Sequence, residues 1–364
     1  MSSRPWMITR AAVEPLQARL IQPFRTALGD HNTLDNLLFV LHLGKKETYY
    51  GEAAVASHIS GETVAGTRKN LQAAAGWLTG QDVRDYPLIS ARLHERWGKN
   101  PALIAAVETA LFDALSSQLN IPLWKLFGDR CRKIRTDITI VIADLEETQQ
   151  SVRRLYRQGF RLFKVKVGRD FDLDIKRVEV VRRLAPKGEI YLDANQGFSA
   201  EQMLKFLREL KRKKIPLALL EQPVPREDFE GLKKVTRETK IPVCADESAR
   251  SLADVAQVIR EKAADVINIK FMKTGIVRSL EIMRLARACG VELMLGGMLE
   301  SSVAMTASAH LAAGTGFFKY IDLDTPFFIC DDVLHNPYLS DNGVYDLSGV
   351  KRGTGLKPFS RNKR

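Results

Sequence analysis

The chain has 364 residues, 45% of them hydrophobic and 27% charged, ordinary globular values that exclude large-scale disorder and suit a full barrel with an additional domain. The net charge of +12 raises the question of nucleic acid, but the basic residues lack interleaved aromatics or a nucleic-acid fold signature. Their densest run, Lys211 to Lys214, falls where a helix should end and favours the helix dipole, leaving a positive field that attracts anionic substrates.

In chain order, residues 8–16, 34–43 and 48–53 are branched and aromatic runs separated by turn-forming segments, the pattern of an antiparallel sheet. Helical periodicity follows at 62–78 and at 101–119. In the second of these Asn100 stands as N-cap, Pro101 at the first helical position, and Leu103, Val107, Ala110, Leu111, Ala114 and Leu115 on one face. A short helical turn at 122–127 precedes Gly128, so residues 1–128 form an α+β domain. From Thr136 short apolar strands alternate with charged amphipathic helices, which is the texture of a parallel sheet. Eight strands are expected, at 136–142, 162–167, 189–193, 217–221, 242–246, 266–270, 292–296 and 319–324. No helix pattern follows the last. The expected fold is therefore α/β, a modified TIM-type (β/α)7β barrel over residues 129–324. Its tail, 325–364, runs back over the amino-terminal domain and ends in a mobile stretch from Lys357 to Arg364.

Cys131, Cys244, Cys289 and Cys330 stand far apart without a C-x-x-C pair and read as reduced, mostly buried thiols. Neither a signal-like opening nor a membrane-length apolar run is present. The cytoplasm is the expected compartment, with no membrane and no nucleic acid as partner.

Chemistry gathers at the strand ends. Lys164 and Lys166 share one side of their strand, which must be the barrel interior, where an unpaired amine is costly. Asp193, Glu221 and Asp246 each follow apolar residues, and Lys270 ends a strand four units beyond the first lysines. All six then meet at the carboxyl face, where such barrels do chemistry. A single acid there is often a helix N-cap. Three on adjacent strands repel unless a cation neutralises them, and oxygen-only ligands favour one Mg2+, with Mn2+ as the alternative. Lysines on opposite sides of a substrate can remove a proton from one face and return it to the other, and proximity to the cation and to each other is expected to lower their pKa. Asn195 and Gln222, just beyond two of the acids, are candidate substrate contacts.

The runs Lys164-Val165-Lys166, Asp193-Ala194-Asn195-Gln196-Gly197, Glu221-Gln222-Pro223, Ala245-Asp246-Glu247-Ser248 and Asn268-Ile269-Lys270 resemble the signature of the muconate-lactonizing-enzyme subgroup of the enolase superfamily. The resemblance implies Lys166 and Lys270 as acid/base catalysts, Lys164 as an electrostatic assistant, and Asp193, Glu221 and Asp246 as magnesium ligands. It also implies an amino-terminal cap whose loops near 23–30 and 53–61 close over the substrate. Asp322-Leu323-Asp324 resembles the element with which dipeptide epimerases hold the substrate α-ammonium. The expected reaction is inversion of the α-carbon of the carboxy-terminal residue of a dipeptide. An o-succinylbenzoate synthase, a muconate-type cycloisomerase or an N-acylamino-acid racemase is the alternative within the subgroup, and a non-catalytic binding protein the alternative outside it. In the loop resembling that of Ala-Glu epimerases, Gly29 and then Asp30 and His31 stand where an arginine commonly pairs with the glutamate side chain. Arg25 remains as a basic residue, and a neutral, hydrophobic or cationic second residue is permitted. His58, Ile59, Gly296 and Met298 complete the candidate substrate contacts, whereas His310, in an Ala-rich helix, reads as a packed core histidine. A homo-oligomer is expected.

Overall fold

The computed structural model of the chain describes residues 5–44, 47–332 and 334–358. Three antiparallel strands, Ile8–Thr26, Gly29–Leu43 and Glu47–Ala53, make the amino-terminal sheet in sequence order. The first contains Pro15 and runs ten residues past the expected end at Leu16, through Pro23. It lies at the edge of that sheet, where a missing N–H costs no ladder bond.

Of helices Val64–Leu78, Tyr86–Trp97 and Pro101–Gln118, the first and third cover the sheet and the second packs on the third. Thr63 Oγ1 caps the first by accepting from Gly66 N at 3.1 Å. Asn100 occupies the expected N-cap position of the third, but its amide is directed to Thr67 Oγ1 (2.9 Å) and Glu62. Glu62 Oε1 takes over the cap by accepting from Ala102 N at 3.1 Å. This helix is not apolar on one face alone, since every residue from Ala102 to Ser116 is buried. One side meets the sheet, where a side chain at Gly51 would fall on the Ala106 carbonyl. The other meets helix Phe271–Ala288, whose Val277 N–H donates to Glu108 Oε2 at 2.9 Å. Gly275, at φ 75°, makes the kink in that helix and leaves room for the Glu108 carboxylate.

The second layer is an eight-stranded parallel sheet in strict sequence order: Ile138–Ile140, Leu162–Lys166, Glu189–Asp193, Leu219–Glu221, Val243–Ala245, Val266–Ile269, Glu292–Leu295 and Tyr320–Ile321. First and last strands approach through Asp137 N to Ile321 O (3.0 Å) and Thr139 N to Asp324 Oδ2 (2.5 Å). Most strands are shorter than expected, although Lys166, Asp193 and Glu221 stay in the ladder. Seven helices alternate with them, and a 3-10 turn, Thr325–Phe328, follows the eighth. Inside, Tyr191, Leu219, Cys244, Val266, Met294 and Tyr320 pack as an apolar plug below the charged rim.

The tail binds both layers. Cys330 N donates to Arg19 O (2.9 Å), Ile329 and Leu334 pack with Leu16 and Leu34, and Val344–Tyr345 pairs with Ile134–Arg135. Thr354 N then donates to Asp113 Oδ1 at 2.8 Å. Of the stretch expected to be mobile, residues 359–364 lie outside the described residues. The thiols depart from expectation: Cys244 is buried and Cys131 half-buried, but Cys289 and Cys330 are exposed, and all four are free. Among the described residues no helix is long and apolar enough to cross a membrane.

Candidate active site

Strand register brings the rim together. Lys166 pairs with Asp193 and Asp193 with Glu221, so the charges emerge side by side as three successive strands end. Lys166 Nζ lies 2.6 Å from Asp193 Oδ2. Lys164 Nζ, one layer deeper, reaches Asp322 Oδ2 at 2.6 Å, Glu221 Oε2 at 2.8 Å and Asp193 Oδ2 at 3.0 Å. Across the ring Lys270 Nζ is 2.7 Å from Asp246 Oδ2. Lys166 and Lys270 therefore flank the mouth, with the acids between them on the intervening strands. All six residues are buried.

Two further side chains hold the acids. Lys273 Nζ contacts Asp246 Oδ1 and Asp246 O at 3.0 Å each and Asn268 O at 2.6 Å, while Asn268 Nδ2 donates to Glu221 Oε1 at 2.9 Å. The sequence carried a signal for both, since Asn268 is two residues before Lys270 on the same inward side and Lys273 opens the next helix. Glu247 is buried beside Asp246, and its Oε1 accepts weakly from Asn195 Nδ2 at 3.4 Å.

The electrostatics follow from burial and these contacts. Burial raises Asp193, but Lys164 and Lys166 overcome it and bring the carboxyl to about 2. Burial likewise opposes ionisation of Asp246, and Lys270 and Lys273 hold it far below the usual carboxylate range. Glu221 is pushed up to about 7 by burial and by Asp193. Burial pulls Lys164 and Lys270 down, but Asp193, Asp322 and Glu221 around the first and Asp246 and Glu221 around the second raise both above the ordinary ammonium value. A neutral base here requires the carboxylate charge to be taken up by a cation.

The donor set fits a hard divalent ion. It consists of three buried carboxylates on adjacent strands, and Glu221 Oε2, although 2.8 Å from Lys164, receives no aligned hydrogen bond. The oxygens of these three are turned to the lysines. Among the described residues the trio whose oxygens lie within 4.8 Å of one another is a different one, Asp137, Asp322 and Asp324.

A cavity of about 300 Å³ opens above the site. Lys166, Lys270, Asp246, Asn195, Asp322 and Asp324 form its floor. Phe24, Leu28, His31, Ile59 and Val64 of the amino-terminal region form one wall, and Met298 and Leu299 another. Of the other expected contacts, five lie outside this lining. Arg25 is turned away to Glu147 Oε2 (3.2 Å), and Asp30 is held by Arg169 (2.5 Å). Gly29 sits in the hairpin turn opposite Thr26. Gln222 Oε1 accepts from Asp246 N and Ser248 N at 3.0 Å each and so fixes the backbone at Asp246. Gly296 packs against the Asn268 amide. His58 belongs to the short helix Ser57–Ser60, and its side chain lies outside the described residues. His31, within the segment where the arginine is absent, lines the cavity, and burial lowers its pKa. His310 is fully buried, with Nδ1 accepting from Trp124 N and Nε2 on Thr354 O, both at 3.1 Å.

Comparison with known proteins agrees with this geometry. Residues 147–360 match the family described as enolase C-terminal domain-like. A hydrophobic dipeptide epimerase of Citrifermentans bemidjiense is 45% identical over 97% of this chain and 98% of its own. An aromatic dipeptide epimerase of Herpetosiphon aurantiacus is 37% identical, covering 95% of this chain and 98% of its own. The solved structure of a dipeptide epimerase from Enterococcus faecalis V583, complexed with Mg and the dipeptide L-Leu-L-Tyr, superposes with a TM-score of 0.92 at 30% identity, over 96% of this chain and 99% of that one. The chain belongs to the enolase superfamily and, within it, to the dipeptide epimerases, which are isomerases.

Proposed function

We propose that the protein is a magnesium-dependent epimerase of dipeptides with a hydrophobic carboxy-terminal residue. The observation that carries this reading is the placement of Lys166 and Lys270 on opposite flanks of one cavity whose floor also holds the Asp322–Asp324 pair. In this reading Asp193, Glu221 and Asp246 hold the magnesium, which when bound supplies positive charge to the substrate carboxylate and so stabilises an ene-diolate. Asp322 and Asp324 accept the α-ammonium and orient the dipeptide. One lysine, uncharged, takes the α-proton from its face, and the other, as ammonium, delivers a proton to the opposite face, with the roles exchanged for the other epimer. Lys164 lies below the reacting atoms and balances the buried acids. The apolar wall of Phe24, Leu28, Ile59, Val64, Met298 and Leu299 supports a hydrophobic side chain, and Arg25, committed to Glu147, offers nothing to an acidic one.

The same reading treats residues 1–128 as the cap, 129–324 as the barrel and 325–364 as a returning strap, in a cytoplasmic homo-oligomer whose partner is a small dipeptide. In deuterated buffer with magnesium, L-Ala-L-Xaa dipeptides bearing hydrophobic Xaa should gain deuterium at the terminal α-carbon. Lys166→Ala and Lys270→Ala should each abolish turnover, and each should lose exchange from a different epimer. Normal epimerisation by both variants would end the two-base scheme.

A further inference from the structure

The reaction just described leaves Asp137, a buried acid of the barrel interior, without a role. Asp137 enters the first barrel strand two residues before Thr139, on the same inward side. It is 0% exposed, and neither of its carboxylate oxygens has a hydrogen-bond partner. From the eighth strand it is faced by Asp322 and Asp324, oxygens of all three lying within 4.8 Å of one another. Lys164 of the second strand, Tyr191 of the third and Glu221 of the fourth also act on it electrostatically. Its two acidic neighbours are provided for: Asp322 has Lys164 Nζ at 2.6 Å, and Asp324 has the Thr139 N–H at 2.5 Å. Lys164 cannot neutralise Asp137 as well, being shared at 2.6 to 3.0 Å among Asp322, Glu221 and Asp193.

Three carboxylates that close, out of water, do not all ionise, and the one with no donor is the one that keeps a proton. The electrostatics run the same way, since burial first, then Asp322 and Asp324, push the Asp137 carboxyl well above the ordinary range. A charged Asp137 would also compete for Lys164 and weaken its hold on Asp193 and Glu221.

We infer that Asp137 is a positioning residue held as an uncharged acid behind the Asp322–Asp324 pair, so that the pair, together with Lys164, presents the charge that one substrate ammonium neutralises. The inference rests on the ammonium role proposed for that pair. It gives the subsite a preference for monocationic amino termini over neutral or dicationic ones, because Asp137 adds shape and a donor proton and adds no charge.

The test uses the magnesium-loaded full chain. Infrared difference spectra between wild type and Asp137→Asn at neutral pH should show loss of a protonated-carboxyl stretch, which a merely structural role for an ionised Asp137 would not produce. In kinetics, Asp137→Ala should raise KM for a free dipeptide by about tenfold with a smaller change in kcat. Asp137→Asn, which keeps an uncharged donor in place, should restore KM to within about threefold of wild type. The inference is overturned if the infrared band is missing and Asn is as damaging as Ala, since Asp137 would then act as a charged ammonium ligand. If wild type turns over free and N-acetylated dipeptides equally well, the ammonium reading itself fails, while the infrared band still reports the state of Asp137.

Discussion

Replacing Asp322 by Asn removes one charge from the proposed ammonium subsite while keeping its shape. The side chain is 9% exposed and sits 2.6 Å from Lys164, so its charge acts in a largely desolvated place. Truncating one partner of a buried, hydrogen-bonded charge pair costs about 2–5 kcal/mol. The lower part of that range applies, about 2–4 kcal/mol, because Asp324 remains beside the ammonium. At about 1.4 kcal/mol per tenfold, kcat/KM for a free dipeptide should fall by about 30-fold to 1,000-fold. Lys164 keeps Asp193 at 3.0 Å and Glu221 at 2.8 Å, so the fold around it should survive, and circular dichroism melting checks that it does. The assay is deuterium incorporation at the terminal α-carbon, followed by NMR, for one dipeptide in its free and N-acetylated forms. Because the acetylated form carries no ammonium, its low turnover should change by no more than about threefold. Equal losses for the two substrates would refute the reasoning, since Asp322 would then support the site through Lys164 alone.

Other outcomes follow from the same structure. A chelator should stop deuterium exchange, and restoring magnesium at 100 times its Kd should raise stability by about 2.7 kcal/mol, read as a higher Tm; an unchanged Tm would remove the ion from the acid trio. His310, lowered by burial to about 4 from 6.5, is neutral in the folded chain and readily protonated in the unfolded one. Its contribution is therefore fully present above pH 6.5 and is lost as pH falls through about 4, a span of about 3 kcal/mol. Urea titrations of wild type and His310→Gln should diverge in acid slope over that window, and parallel slopes would contradict the assignment. Gly51→Ala should destabilise by about 3 kcal/mol or more, because the new methyl meets the Ala106 backbone carbonyl and neither strand nor helix can yield alone; a shift in urea midpoint below a third of that would mean the two elements part easily.

Much of this was legible in the chain because barrel strands are apolar runs that end in charge. The interior position of Lys164 and Lys166 follows from period-two alternation, and the register Lys166, Asp193, Glu221 across three strands follows from equal spacing. What resisted reading was pairing at a distance. Arg25 and Asp30 looked available for substrate, but their partners, Glu147 and Arg169, lie more than a hundred residues away on the barrel. Helix Pro101–Gln118 showed an apolar face and gave no sign that its remaining faces would be covered too, because that depends on where helix Phe271–Ala288 lands. The helix Tyr86–Trp97 was missed, its polar and apolar residues too evenly mixed and its start marked only by Pro87. The carboxylates that raise Lys164 and Lys270 could not be counted from the chain, because the number within reach of each amine is a property of the closed ring.

Most of the cavity's apolar wall comes from residues 24–64, with Met298 and Leu299 added from the barrel, and its reactive floor comes from strand ends after residue 160. Taste and chemistry are thus written largely in separate stretches of the gene. A lineage can exchange Phe24, Leu28, Ile59 or Val64 and acquire a new diet without disturbing a single proton-carrying group, and recombination that swaps the first third of the chain would be a direct route to new selectivity.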